Sequence, residues 1–271
     1  MVELKSAVGV DWASGYWLGV EYQDGHYERV IVKPRFEELW TAFDSKPDQI
    51  LVDVPIGLFD QNDGDTGERG RECDSLARVV LGSRWSSVFT PPARQAAELA
   101  KNGKPHEDVS SKNRDVVGKG LSIQAYHIAP GIAEVDSFLH PDEKDEKRRR
   151  RERVQEAHPE VCFAAFAGEA LEYSKTSAVG FGERLSALDN VVENPGETFR
   201  EISQDFEERD GDIDVTEIDA DDVLDAMALA ITACADENER QTLPEEPPVD
   251  ERELPMQMVY RAEEPVEVKL D

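Results

Sequence analysis

The chain has 271 residues, enough for one large domain or two small ones with a sizeable core. Its 59 Asp+Glu outnumber 30 Lys+Arg for a formal charge of -29, and the three cysteines (Cys73, Cys162, Cys234) are odd in number with no CxxC pair. That pattern speaks against a disulfide frame or zinc site, and the lack of a signal peptide or long apolar run speaks against a secreted or membrane protein.

In chain order, the first third reads as strands. Residues 7–11 form a short apolar run, and 16–22 and 26–32 alternate around Gln23-Asp24-Gly25, an Asp-Gly turn that predicts a hairpin. Phe36, Leu39, Trp40 and Phe43 recur at helical spacing before Pro47. Ile50-Leu51-Val52-Asp53-Val54 is a second buried-strand candidate, broken by Pro55-Ile56-Gly57. A polar Gly/Asp loop over 60–70 leads to a helix over 71–81, and Pro92-Ala93-Arg94 opens the next helix after a Pro-Pro break. The stretch 102–119 reads as polar and irregular, 121–139 as a helix interrupted at Pro130-Gly131, and 141–153 as a charge run. A short strand over 154–158 precedes a helix from Pro159 to Gly168, with another short helix over 182–191. Residues 193–218 are acidic and take no assignment, whereas 220–235 is the clearest helix in the chain. Beyond Leu243 lies a Pro/Glu-rich tail with one strand candidate at 256–261.

One aspartate interrupts each buried-strand candidate, Asp11 after Val8-Gly9-Val10 and Asp53 after Leu51-Val52. An unpaired charge at a core strand end is costly, so two in the same pattern point to a shared function more than to separate caps. Asp222 and Asp225 are three apart and project from one helical face. Leu224, Ala228 and Ile231, with Ala226, Met227, Ala230 and Ala233, make that helix apolar nearly all round, leaving Asp225 at the edge of a buried surface. Capping accounts for Asp221 and Asp222 but poorly for Asp225. His158-Pro159-Glu160 sets a carboxylate in a first helical turn, where a capping role weighs equally. Arg71, Arg94 and Lys175 are candidates for phosphate contact. Arg78 and Arg84 read instead as surface ion pairs, and the basic run 147–151, following Asp142, Glu143, Asp145 and Glu146, as a salt-bridged segment. Trp12, Trp17, Trp40 and Trp85 read mostly as core.

Together, Val8-Gly9-Val10-Asp11, Ile50 to Leu58, Arg71-Glu72-Cys73-Asp74, Phe89 to Arg94 and His158 to Phe163 resemble the domain of unknown function 429. That prokaryotic family is described as predicted nucleases of the ribonuclease H fold. Leu121 to Gln124, and Ser174-Lys175 with Gly180 and Arg184, look like further pieces of it. The segment from Asp222 to Thr232 is similar to the last helix of RuvC-type junction resolvases, which supplies two metal-binding aspartates. The resemblance implies an α/β fold: a ribonuclease H-like mixed five-stranded sheet in the order 3-2-1-4-5, flanked by helices, with an inserted, mostly helical subdomain around 59–153. The domain is expected over 1–243 and an acidic tail over 244–271. It implies Asp11, Asp53, Glu160 and Asp225 as catalytic carboxylates, with Asp11, Asp53, Asp222 and Asp225 holding Mg²⁺ or Mn²⁺. Two ions about 3.5–4 Å apart are expected.

The expected function is metal-dependent hydrolysis of DNA or RNA by a cytoplasmic protein. The acidic surface suits concentrated salt, and hence a salt-loving organism, where screening mutes repulsion from a phosphate backbone. Two alternatives stay open: a phosphotransferase of the actin/sugar-kinase type, whose fold opens on the same Gly-x-Asp strand, and a non-catalytic ribonuclease H-like scaffold.

Overall fold

The computed structural model describes residues 5–43, 45–60, 69–207 and 215–268. β1 (Ser6–Ala13), β2 (Tyr16–Gln23) and β3 (His26–Lys33) form an antiparallel meander. Its second turn places Asp24 and Gly25 at positive φ, which a two-residue Asp-Gly hairpin requires. α1 (Phe36–Thr41) crosses one face of the sheet, and β4 (Gln49–Val52) returns parallel to β1. After a long insertion, β5 (Val154–Glu156) adds parallel to β4, completing the order β3-β2-β1-β4-β5. This is the ribonuclease H-like order expected.

The insertion holds α2 (Glu72–Leu81), a 3₁₀ turn (Gly82–Ser87), α3 (Arg94–Lys101), α4 (His106–Val117), α5 (Ile123–Phe138) and α6 (Lys144–Arg153). Residues 61–68 of the expected polar loop lie outside the described residues. The stretch expected to be irregular contains α4, whose buried stripe is only Val109, Asn113, Val116 and Val117. Asn113 ties it down by accepting from the Ala93 N–H (2.7 Å) and donating to the Lys119 carbonyl (2.8 Å). Tertiary contact there overrides weak local propensity. α5 runs unbroken through Pro130, because Gly131 packs on Trp12 so closely that a Cβ would stand 3.1 Å from the ring. That packing outweighs the hydrogen bond the proline removes. The charge run is α6, with Arg149 and Arg150 paired to Glu146 and Arg150 also to Glu37.

Beyond β5 come α7 (Pro159–Ala167), α8 (Ala178–Leu188), α9 (Pro195–Glu207) within the unassigned acidic stretch, and α10 (Ala220–Ala233). Alternation along β1 sorts the two cores. Val8 and Val10 pack with Trp17, Phe36, Trp40 and Ile132 on the α1/α5 side, while Ala7 and Ala13 join Leu224, Ala228 and Ile231 of α10 on the other.

The tail expected beyond Leu243 is instead part of the domain. β6 (Arg240–Leu243) and β7 (Met258–Arg261) pair as an antiparallel ribbon, and Met258, Val259 and Tyr260 are buried in the α10-side core. Between them the buried Asp250 carboxylate accepts from Arg94 of α3 and from the Leu58 N–H. β7 falls within the strand candidate at 256–261, whereas the Pro/Glu-rich composition around it concealed its packing into the core. No helix among the described residues is long and apolar enough to cross a membrane.

Candidate functional site

Three parallel strands end side by side at one edge of the sheet. Val10 is in register with Val52, and the Asp53 N–H continues the ladder to the Val10 carbonyl (2.9 Å), so Asp11 and Asp53 emerge as neighbours. The Ala157 N–H bonds the Val52 carbonyl (3.1 Å), which delivers His158-Pro159-Glu160 just beyond the next strand. Ligands of open α/β sheets bind at such carboxyl ends of parallel strands. His158 caps α7 by accepting from the Glu160 N–H, and Pro159 supplies the preset φ of the first helical turn.

α10 closes the site from one face. Asp11 lies two residues beyond Gly9, hence on the same side of β1, and Gly9 admits the helix backbone against the strand. Asp222 and Asp225 stand on that helix next to the contact. One oxygen of Asp222 accepts from the Asp219 N–H (2.9 Å) in a capping box, so Asp222 both caps the helix and faces the site. Asp11, Asp53, Asp222, Asp225 and Glu160 thereby line one cavity of about 250 Å³, with Lys175 and Arg84 as its cationic side chains. Trp12, Phe89 and Ile128 form an apolar wall, much of it supplied by the insertion.

Lys175 reaches into the acid cluster, its Nζ 2.5 Å from Asp225 Oδ2 and 3.0 Å from Asp221 Oδ2. Glu160 is held through Oε1 by the fully buried Arg184, while Arg84 Nε stands 4.0 Å from its Oε2. Among the described residues, two buried carboxylate oxygens, Glu160 Oε2 and Asp225 Oδ1, have no hydrogen-bond partner.

The surplus of negative charge appears in the proton affinities. Burial raises Asp11 well above the usual carboxylate range, and Asp53, Asp225 and Asp222 add repulsion. Burial likewise pushes Asp53 and Asp225 up to about 7, with Lys175 offsetting part of the effect and Glu160 opposing ionisation of both. The Lys175–Asp225 pair is lopsided, since burial wins at the carboxylate but not at the ammonium. The lysine side chain is 34% exposed, and attraction to Asp225 and Asp11 outweighs desolvation and raises its pKa.

Among the described residues, no group of three or more His, Cys, Asp or Glu side chains is placed to hold a metal ion as it stands. The donor set still suits a hard divalent ion. It is all oxygen, rich in uncompensated charge, and includes two orphaned buried oxygens; Mg²⁺ binds through one or two carboxylates plus water and substrate. Asp11, Asp53 and Asp225 are the candidates for such an ion, with the free oxygen of Asp222 or Glu160 as auxiliary, and they would have to draw closer to hold it together.

Of the cations assigned to substrate, only Lys175 reaches the cavity. Arg71 is buried and pairs with Asp74 (2.5 Å) and Glu156 (2.7 Å), and Arg94 is buried with Asp136 (3.0 Å) and Asp250. Both are committed to the core, where an unpaired guanidinium would be costly. Arg84, expected as a surface ion pair, lines the cavity instead, and its Nε has no hydrogen-bond partner. Nothing in its local sequence distinguishes it.

This sheet order, with carboxylates gathered at parallel strand ends and on the helix that crosses them, defines a ribonuclease H-like α/β protein with an acidic pocket. The chain belongs to the family described as Protein of unknown function (DUF429), whose model matches residues 9–249. No curated protein and no solved structure gives a significant match.

Proposed function

We propose that this protein is a divalent-metal-dependent nuclease that hydrolyses phosphodiester bonds of DNA or RNA. The observation that carries the reading is the convergence of Asp11, Asp53, Glu160 and the α10 pair Asp222 and Asp225 on one cavity where, among the described residues, two buried carboxylate oxygens lack partners. Such desolvated charge is costly unless a cation or proton answers it.

Asp11, Asp53 and Asp225 hold the Mg²⁺ or Mn²⁺ ion in this reading, with Asp222 or Glu160 auxiliary. A bound ion supplies Lewis acidity toward phosphate oxygens and lowers the pKa of attached water. Arg184 fixes Glu160 by a buried ion pair, so that Oε1 is committed and Oε2 stays open to the cavity. Arg84 and Lys175 are the cations available to phosphate oxygens, and Trp12, Phe89 and Ile128 keep water from one side. The strongly acidic chain meets a polyanion with least penalty in concentrated salt, as expected for a cytoplasmic protein of a salt-loving organism.

The test is incubation with single-stranded, duplex, hybrid and junction substrates in molar salt with Mn²⁺. Cleavage abolished by EDTA and by Asp11→Asn is the expected result. No cleavage of any substrate, or equal cleavage by Asp11→Asn, would refute the proposal.

A further inference from the structure

We infer that Lys175 fills the second of two cation positions in this pocket, so that each chain binds one divalent ion rather than two. This rests on the metal reading above and specifies its stoichiometry.

The position of the ammonium is the first ground. Asp225 presents one oxygen to Lys175 Nζ at 2.5 Å, while its other oxygen, Oδ1, is buried without a partner. A carboxylate shared between two cations divides its oxygens in this manner. Here one oxygen is already taken by a fixed positive charge. Asp221 supplies a second acceptor at 3.0 Å, so two of the three donors of the ammonium are satisfied by carboxylates. Glu160 Oε2, the other orphaned oxygen, lines the same cavity.

The second ground is how the lysine is carried. Long side chains on free loops lose much entropy when fixed, so a lysine built into a site needs a braced backbone. The segment 173–180 is braced throughout. Gly180 packs so tightly on Ser174 that a Cβ would stand 2.0 Å from the Ser174 carbonyl oxygen. That oxygen accepts from both the Ser177 N–H (2.9 Å) and the Ser177 hydroxyl (2.8 Å). Glu183 accepts from the Glu172 and Tyr173 N–H groups (2.9 Å each), and Arg184, which holds Glu160, also donates to the Tyr173 carbonyl (3.3 Å). The loop that offers Lys175 and the side chain that orients Glu160 are thus one construction.

The third ground is chemical. Phosphodiester hydrolysis places developing charge on an attacking and a leaving oxygen on opposite sides of phosphorus. An ammonium can stabilise one of these oxygens, although it cannot lower the pKa of water as a metal does. One divalent ion beside Lys175 therefore answers both sides.

The experiment is a Mn²⁺ titration of the EDTA-stripped full chain, followed by calorimetry and by the electron paramagnetic resonance of free Mn²⁺. Wild type is expected to bind one Mn²⁺ per chain, Lys175→Met two, and Lys175→Arg one. Two ions in wild type, or one in a folded Lys175→Met, overturns the inference while leaving the nuclease reading intact. No Mn²⁺ bound by wild type or any variant removes both. If Lys175→Met fails to fold, the wild-type and Lys175→Arg stoichiometries still decide, since two ions in either contradicts the proposal.

Discussion

Gly9 lies against Ala226 with room for a hydrogen but not a methyl group: a Cβ on Gly9 would stand 2.0 Å from the Ala226 carbonyl oxygen and 2.2 Å from the Ala230 nitrogen. This contact sets the height of α10 over β1, and hence the separation of Asp11 from Asp225, the residue preceding Ala226. Gly9→Ala is expected to lift the helix and cost about 3 kcal/mol or more, at the upper end of overpacking effects. The urea midpoint is the check, and a variant as stable as wild type would contradict this seating.

Asp11→Asn is expected to separate stability from function. It removes a buried carboxylate opposed by three others, so the metal-free protein should gain about 1–2 kcal/mol near neutral pH while metal-dependent cleavage disappears. Thermal unfolding in EDTA beside a cleavage assay measures both. A loss of stability would show that the cluster is better neutralised than its burial implies.

Asp53 and Asp225 set a pH dependence whose sign follows from proton binding. Both sit near 7 in the folded protein against an ordinary 3.8, chiefly through burial, so the native state binds more protons than the unfolded chain between these values. The associated stabilisation is complete below 3.8 and is lost as pH rises through 7. In EDTA the melting temperature should therefore be lower at about pH 8 than at about pH 5.5, and the rise on adding Mn²⁺ should be larger at the higher pH, because ligands must lose their protons to bind metal. An Mn²⁺ effect independent of pH would argue that these carboxylates are not ligands.

The Arg184–Glu160 pair is buried at both ends, with relative exposures of 0% and 4%. Removing one partner strands the other charge, so Arg184→Met should cost about 3–5 kcal/mol. Arg184→Met combined with Glu160→Gln should cost less than the two single changes added together. A double-mutant cycle by denaturant unfolding gives the coupling, and strict additivity would mean that the pair is not formed.

Ending the chain at residue 243 should destabilise the whole domain. It removes Asp250 from Arg94 and the Leu58 N–H, and Met258, Val259 and Tyr260 from the core. Loss of a cooperative unfolding transition is expected, whereas an unchanged transition would show that the fold does not need the segment beyond 243.

Much of the sheet was legible because β1 to β4 alternate or run apolar between turn residues, and an Asp-Gly pair fixes the hairpin. The carboxylates were legible because Asp11, Asp53 and Asp225 interrupt apolar surfaces that would otherwise exclude charge. The arginines were not. Arg71 finds Glu156 across 85 positions, and Arg94 finds Asp136 and Asp250 across 42 and 156. Only the folded chain separates a guanidinium paired in the core from one facing a pocket. α4 escaped notice for the related reason that its buried stripe includes an asparagine, whose partners lie outside the helix.

The clasp between Arg94 and Asp250 bears on how the protein is made. On the ribosome the inserted helices emerge before the acid that receives Arg94, which follows Asp222 and Asp225 in the chain. A nascent chain that has not reached those aspartates lacks a complete pocket, and one that stops before Asp250 leaves a buried arginine short of a counter-charge. Anchoring of the inserted helices through Arg94 is thus completed only after every carboxylate of the acidic centre has been made.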